Sequence, residues 1–151
     1  MVRKRQKVSV GDVFAIPLSD GRWALGQVVE EWMPRIICVA LFDRVVPKPA
    51  AVDFTNLGSV IALPSVAMAE VANGYWTKVG NTSVQADRGF APHAEFESQR
   101  FVGATWSSGK IVEDFLSAYH GIGSWEPYPA TPGRLRSMLL SSAGKLAKNR
   151  H

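Results

Sequence analysis

Three observations predict an α+β domain built on an antiparallel meander. Apolar runs of strand type, separated by turn signals, fill residues 11–43. The hydrophobic period becomes helical only in the last third of the chain. Strands therefore come before helices and do not alternate with them, which argues against a parallel βαβ sheet. The expected architecture is an N-terminal antiparallel meander forming a strongly bent sheet or a partly open small barrel, with two carboxy-terminal helices packed against it.

The meander comes first in the argument. Val13, Phe14, Ile16 and Leu18 form one run, which Ser19-Asp20-Gly21-Arg22 breaks. Asp-Gly between β-rich runs is a strong hairpin signal. Trp23, Leu25, Val28 and Val29 form the second run, with Gly26 inside it as an expected bulge or bend. Met33-Pro34 ends it, because proline donates no ladder bond and restricts the residue before it. Ile36 to Phe42 is almost wholly apolar, so both of its faces should be covered.

Beyond the meander, Val45 to Asn56 carries Pro47 and Pro49 and reads as a loop crossing a sheet edge. Gly58 to Leu63 reads as a short strand closed by Pro64. Ser65 to Val71 fits a helical turn or a strand equally, because seven residues are too few for periodicity to decide. Tyr75 to Val79 reads as a strand between turns at Asn73-Gly74 and Gly80-Asn81. Residues 82–99 read as a long polar connection, and Phe101 to Trp106 as a further strand.

Ser107-Ser108 then offers an N-cap. Ile111, Val112, Phe115, Leu116 and Tyr119 share one helical face, and Gly121 is placed to end that helix. Ile122 to Ala130 reads as an aromatic and proline linker. Thr131-Pro132 opens a predicted second helix with Leu135, Met138 and Leu139 as its apolar stripe.

The 151 residues suit one domain. The expected division is a flexible basic arm over 1–9, a single domain over 10–140 and a basic tail over 141–151. The net charge of +4 conceals a segregation. Residues 1–7 hold four cations and no acid, and residues 131–151 hold five cations and no acid. Residues 8–130 keep eight cations against all 13 acids, a net of −5. The body is acidic, so the high isoelectric point alone is no flag for nucleic acid.

The lone Cys38 excludes an internal disulfide and reads as a small buried hydrophobe. No secretory leader pattern and no apolar run of about 20 residues is present, so a cytoplasmic location and no membrane contact are expected.

Motifs that carry chemistry are scarce. His93, His120 and His151 share no ligand spacing, and no cofactor or metal is expected. His120 stands where a helix ends, and a cation there suits the helix dipole. Gly-x-Ser-x-Gly and phosphate-cradling glycine loops are missing from the sequence. Glu30-Glu31 should point to opposite faces of a strand. Glu113-Asp114 should lie on the solvated side of a helix. An enzyme using Asp12 or Asp43 near His93 is a third reading without support from spacing. Trp23 and Trp76 read as core or sheet-face residues. Trp125 reads as a wedge between helices and sheet. Trp32 fits an exposed binding anchor or a lid over the open end of the barrel.

Two stretches carry a resemblance. Gly11 to Val29, GDVFAIPLSDGRWALGQVV, followed by an apolar strand ending Leu41-Phe42-Asp43, resembles the opening of the bacterial immunity protein 26 family. Gly109 to Gly121, then Trp125, then Leu139-Leu140, is similar to that family's carboxy-terminal pattern, with Ser124-Trp125-Glu126-Pro127 standing where the family often has Pro-Trp-Asp.

The resemblance implies a non-enzymatic protein that binds and neutralises a cognate toxin domain encoded by a neighbouring gene, in polymorphic or contact-dependent toxin systems. Many such toxins are nucleases, and an acidic surface carrying aromatics complements a basic active site. On that reading Gly11, Pro17, Gly21 and Gly26 serve backbone geometry, and Phe14, Ile16, Phe42, Phe115 and Leu116 form core. The expected toxin contact is Glu30, Glu31, Trp32 and Asp43, around the open end of the meander. Nucleic acid is not expected as the main partner, and the oligomeric state is left open. The competing reading is an SH3-like barrel that binds nucleic acid through its basic termini and exposed aromatics.

Overall fold

The structure is a computed structural model that describes residues 5–86, 90–100 and 104–140. The expected basic tail over 141–151 lies outside the described residues, as do residues 1–4 of the arm.

The apolar runs of the meander become β1 (Asp12–Pro17), β2 (Trp23–Met33) and β3 (Ile36–Val46). β4 (Val60–Ala62), β5 (Ser65–Ala67) and β6 (Thr77–Asn81) complete an open six-stranded sheet among the described residues. All of its pairings are antiparallel. The order is β4-β3-β2-β1-β6, and β5 pairs with the start of β3 beside β4. The ladder slips between Val13 and Phe14, Ala24 and Gly26, Val28 and Glu30, Glu31 and Met33, and Leu41 and Phe42. Each slip sharpens local twist, which bends the sheet without closing it.

Alternation along β3 divides the core in two. Ile37, Val39 and Leu41 join Phe14, Ile16 and Val28 on one face. Cys38, Ala40 and Phe42 join Val13, Leu25, Leu57 and Leu63 on the other. Both faces of this strand are covered, as its unbroken apolar run requires.

The first face receives α2 (Gly109–Tyr119), which buries Val112, Phe115 and Leu116. Each such side chain contributes about 1.5–3 kcal/mol by leaving water. Ser108 caps the helix by accepting from the Ile111 N–H, and Gly121 ends it at φ 79°. Trp125 then meets Phe115 edge-on at 5.8 Å. Gly26 sits where a Cβ would come within 3.2 Å of Val39 Cγ1 and 3.3 Å of Ile16 Cδ1. Glycine there is a matter of room between packed side chains.

Several expectations are corrected. Ser65 to Ala72 is both strand and helix: β5 runs directly into the five-residue α1 (Met68–Ala72). β6 starts two residues later than expected, and Gly80-Asn81 does not turn the chain, because both residues pair with β1. β3 continues to Val46, and a 3-10 turn at Pro49–Ala51 occupies the expected loop. The second carboxy-terminal helix is only a 3-10 turn, Arg136–Met138. Gly133, at φ 76°, interrupts the predicted α-helical run, and Leu139 then bridges to Ala62. Of the strand expected at Phe101–Trp106, residues 101–103 lie outside the described residues, and residues 104–106 are not strand. Ser107 makes a single bridge to Val66. The long connection contains a 3-10 helix, Pro92–Gln99.

Gln6, within the expected flexible arm, is tied to the fold. Its backbone N–H donates to Ala72 O at 2.9 Å, its Nε2 donates to Trp76 O at 2.7 Å, and its Oε1 accepts from Lys78 N at 3.0 Å. Val8 packs against the first core. Among the described residues, no helix is long and apolar enough to cross a membrane.

Candidate functional site

The turn joining β2 and β3 fixes the geometry of the expected contact residues. Met33 pairs with Ile36, so Pro34 and Arg35 form the loop. Arg35 adopts φ 66°. Proline followed by a left-handed residue is the type II pattern, in which glycine or asparagine usually takes the second place. Glu31 supports the turn, its Oε2 accepting from Arg35 N at 2.9 Å.

Glu30, Glu31 and Trp32 are brought together at this end of the sheet, and their side chains do different things. Glu31 is exposed. Glu30 is half-buried, and its Oε1 lies 2.6 Å from His93 Nε2. A carboxylate accepts, so the hydrogen sits on Nε2. Trp32 is 7% exposed, lies flat against His93 at 4.9 Å, and donates from Nε1 to Ser65 Oγ at 2.7 Å. It is not an exposed anchor but a buried pin joining β2, β5 and the 3-10 helix Pro92–Gln99.

Asp43 is not part of this group. It lies five residues beyond Cys38, the partner of Glu30 across the ladder, or about 16 Å along β3. Its Oδ1 accepts from Ser59 N at 2.9 Å.

His93 meets neither Asp12 nor Asp43. Asp12 is buried and held by Ser9 N, Asn81 Nδ2 and Lys78 Nζ, the last at 3.1 Å. The His93 side chain is fully enclosed, so its pairing with Glu30 positions Trp32 and presents no ring nitrogen to solvent. Among the described residues, no group of three or more His, Cys, Asp or Glu side chains could hold a metal ion. His93 and Ser65 escape sequence reasoning because each meets its partner only through the folded sheet, across several intervening strands. No local spacing encodes a contact between residues 63 apart.

The other paired acids are also engaged. Glu113 Oε2 accepts from Trp76 Nε1 at 2.8 Å, and Asp114 accepts from Lys110 Nζ and from the Tyr128 hydroxyl. Neither is merely a solvated surface charge. Burial pushes the Tyr128 phenol up to about 12, and the Asp114 carboxylate it bonds adds to the rise. His120 is the C-cap residue of α2. Burial lowers its pKa and the nearby Arg22 guanidinium lowers it further, against opposing pulls from Asp43 and Asp20. The neutral imidazole is therefore favoured, which corrects its reading as a cation on the helix dipole.

The sheet and its hairpin end define an α+β domain that carries its acidic and apolar side chains on a bent, open meander. Against family models, the chain matches immunity protein 26 over residues 9–99, more than half its length, and it belongs to that family. The match covers the meander, the Glu30–His93 pair and Trp32, and ends before the second stretch of resemblance at Gly109. No curated protein and no solved structure matches the chain.

Proposed function

We infer that this protein binds a cognate toxin domain encoded by a neighbouring gene and neutralises it, in the cytoplasm of the cell that makes both, without doing chemistry of its own. The observation that carries this reading is membership of an immunity protein family across the whole meander. The mode of action is occlusion of the toxin's active site or substrate surface. A nuclease is the toxin class that best suits the acidic body, because its active site attracts phosphate and so attracts carboxylates.

The contact surface is the end of the β2–β3 hairpin. Glu31 supplies an exposed charge and Glu30 a half-buried one, while Trp32 sets their position from beneath. Exposed Met33 adds apolar area beside them. Asp43, about 16 Å along β3, would meet the toxin only across a broad footprint.

Co-expression with the toxin domain encoded immediately upstream tests the reading. Restored growth and a co-purifying complex are expected. Continued killing by a toxin of proven activity would overturn it. Within a working pair, Glu31→Arg should weaken the complex at least tenfold, and unchanged affinity would remove the hairpin end from the interface.

A further inference from the structure

The cations of this chain are not spread evenly over its surface. Arg5, Lys7 and Arg35 line one cleft of about 460 Å³, together with Gln6, Val8, Ser9, Met68, Ala69 and Ala72. No acid lines it. Among the described residues, none of these three side chains makes an ion pair, whereas Lys78 is committed to Asp12 and Arg22 to Asp20. A second cleft of about 560 Å³ shares Arg5, Gln6 and Lys7 and is completed by Lys78, Val79 and Gly80 of β6. Residues 8–130 have a net charge of −5, so this cluster of cations stands out against an acidic body.

The positions of these cations are imposed by the fold. Gln6 is bonded on both sides of its amide and Val8 packs into the core, so Gln6 and Val8 point inward. Arg5 and Lys7, on either side of Gln6, are both exposed. Arg35 comes from a different part of the chain. Its place is fixed by its own carbonyl, which accepts from Met68 N at 2.7 Å, and by its φ of 66°. An arginine occupies a left-handed turn position where glycine or asparagine costs less, and its charge is set beside two like charges. Like charges held around one cleft repel, and an anion bound among them relieves the repulsion.

We propose that the cleft formed by Arg5, Lys7 and Arg35 binds the phosphodiester backbone of a nucleic acid strand. Two guanidinium forks and an ammonium match phosphate oxygens, and the forks do so in bidentate fashion. The two clefts share Arg5, Gln6 and Lys7, so a ligand that uses both is extended. A phosphodiester strand carries a charge at every repeat and meets cations wherever they fall. An acidic protein segment would need carboxylates spaced to match. Arg35 belongs to the β2–β3 turn, so the cleft adjoins the proposed toxin contact, and it is assigned no sequence preference.

The test uses the full chain and a fluorescein-labelled single-stranded oligonucleotide, followed by anisotropy across a salt series. Arg35→Asn keeps a residue that tolerates the left-handed turn and removes the charge. Lys7→Gln removes a second charge from a side chain that makes no ion pair among the described residues. Each variant should bind roughly threefold to tenfold more weakly at low salt and reduce the salt slope by about one. Urea midpoints should match the parent, which separates lost binding from lost fold. The control K145Q/K148Q/R150Q removes the cations of the carboxy-terminal stretch and should leave the Arg35 effect intact. No binding at low salt, or binding indifferent to Arg35→Asn, would overturn the proposal. Tighter capture of a glutamate-rich peptide of equal charge would overturn it too, and would give the cleft to an acidic protein segment.

Discussion

The imidazole of His93 and the indole of Trp32 lie nearly parallel, 9° apart with their centres separated by 4.9 Å, and each ring is fixed at its edge by a different strand's side chain. Glu30 holds the first and Ser65 the second. Trp32→Phe keeps a ring on His93 but strands the Ser65 hydroxyl, and should cost about 1 kcal/mol. Trp32→Ala also empties the site and should cost about 3–5 kcal/mol. Urea unfolding of both variants measures the ladder. Equal losses would mean that the ring contributes nothing beyond the hydrogen bond, and no loss in Trp32→Phe would mean that the hydrogen bond contributes nothing.

His120 should give stability a pH dependence of predictable sign. Its Nε2 is buried without a hydrogen-bond partner among the described residues, and its folded pKa lies below the ordinary 6.5. As pH falls below 6.5 the unfolded chain takes the proton first, so stability declines until the folded pKa is passed and then levels off. His120→Asn removes this term while leaving His93 and His151 in place. Urea midpoints of the two proteins at pH 7.5, 6.5 and 5.5 should draw together or cross as pH falls, in favour of the variant. Parallel curves would refute the buried neutral imidazole.

Gly26→Ala tests the packing between β1, β2 and β3. The new methyl would meet Val39, Ile16 and the Ala40 carbonyl at 3.2–3.5 Å, so neighbours on both sides must give. Overpacking of this kind costs roughly 1–3 kcal/mol. Gly21→Ala meets nothing within 4 Å, so its cost is limited to the strain of φ 90°. A larger loss at residue 21 than at residue 26 in thermal melts would contradict the steric account.

Tyr128 should ionise late. With its phenol pushed up to about 12, an alkaline absorbance titration should show Tyr128 still protonated at about pH 11. Asp114→Asn removes the carboxylate charge and should bring that transition earlier. An unchanged titration would mean that burial alone sets the value.

Much of the fold was legible because its determinants are local. Asp20-Gly21 marks the first hairpin, the apolar run of β3 shows that both its faces are covered, and Ser108 with Gly121 brackets α2. The misreadings share a cause: tertiary pairing overrides short signals. Gly80-Asn81 reads as a turn until β1 supplies partners for both residues. Thr131-Pro132 reads as a helix start, but Gly133 turns left-handed and Leu139 is taken by Ala62. Glu30, Glu31 and Trp32 could be placed at one end of the hairpin from sequence. The burial of Trp32 could not, because Ser65 and His93 approach it only after the chain has folded. The cationic cleft was half visible, as a basic run beginning at Arg3, but nothing in the sequence places Arg35 beside it.

The side chain of Gln6 has a consequence for self-association. β6 is the last strand on its side of the described sheet, and such a strand is a template on which a second molecule can add its own. A carboxamide carries the same donor and acceptor as a peptide unit. By taking the Lys78 N–H and giving its own hydrogen to the Trp76 carbonyl, Gln6 imitates one residue of a neighbouring strand and ends the ladder there. One glutamine thus acts as a stopper, and the cations on either side of it repel an identical edge approaching from solution.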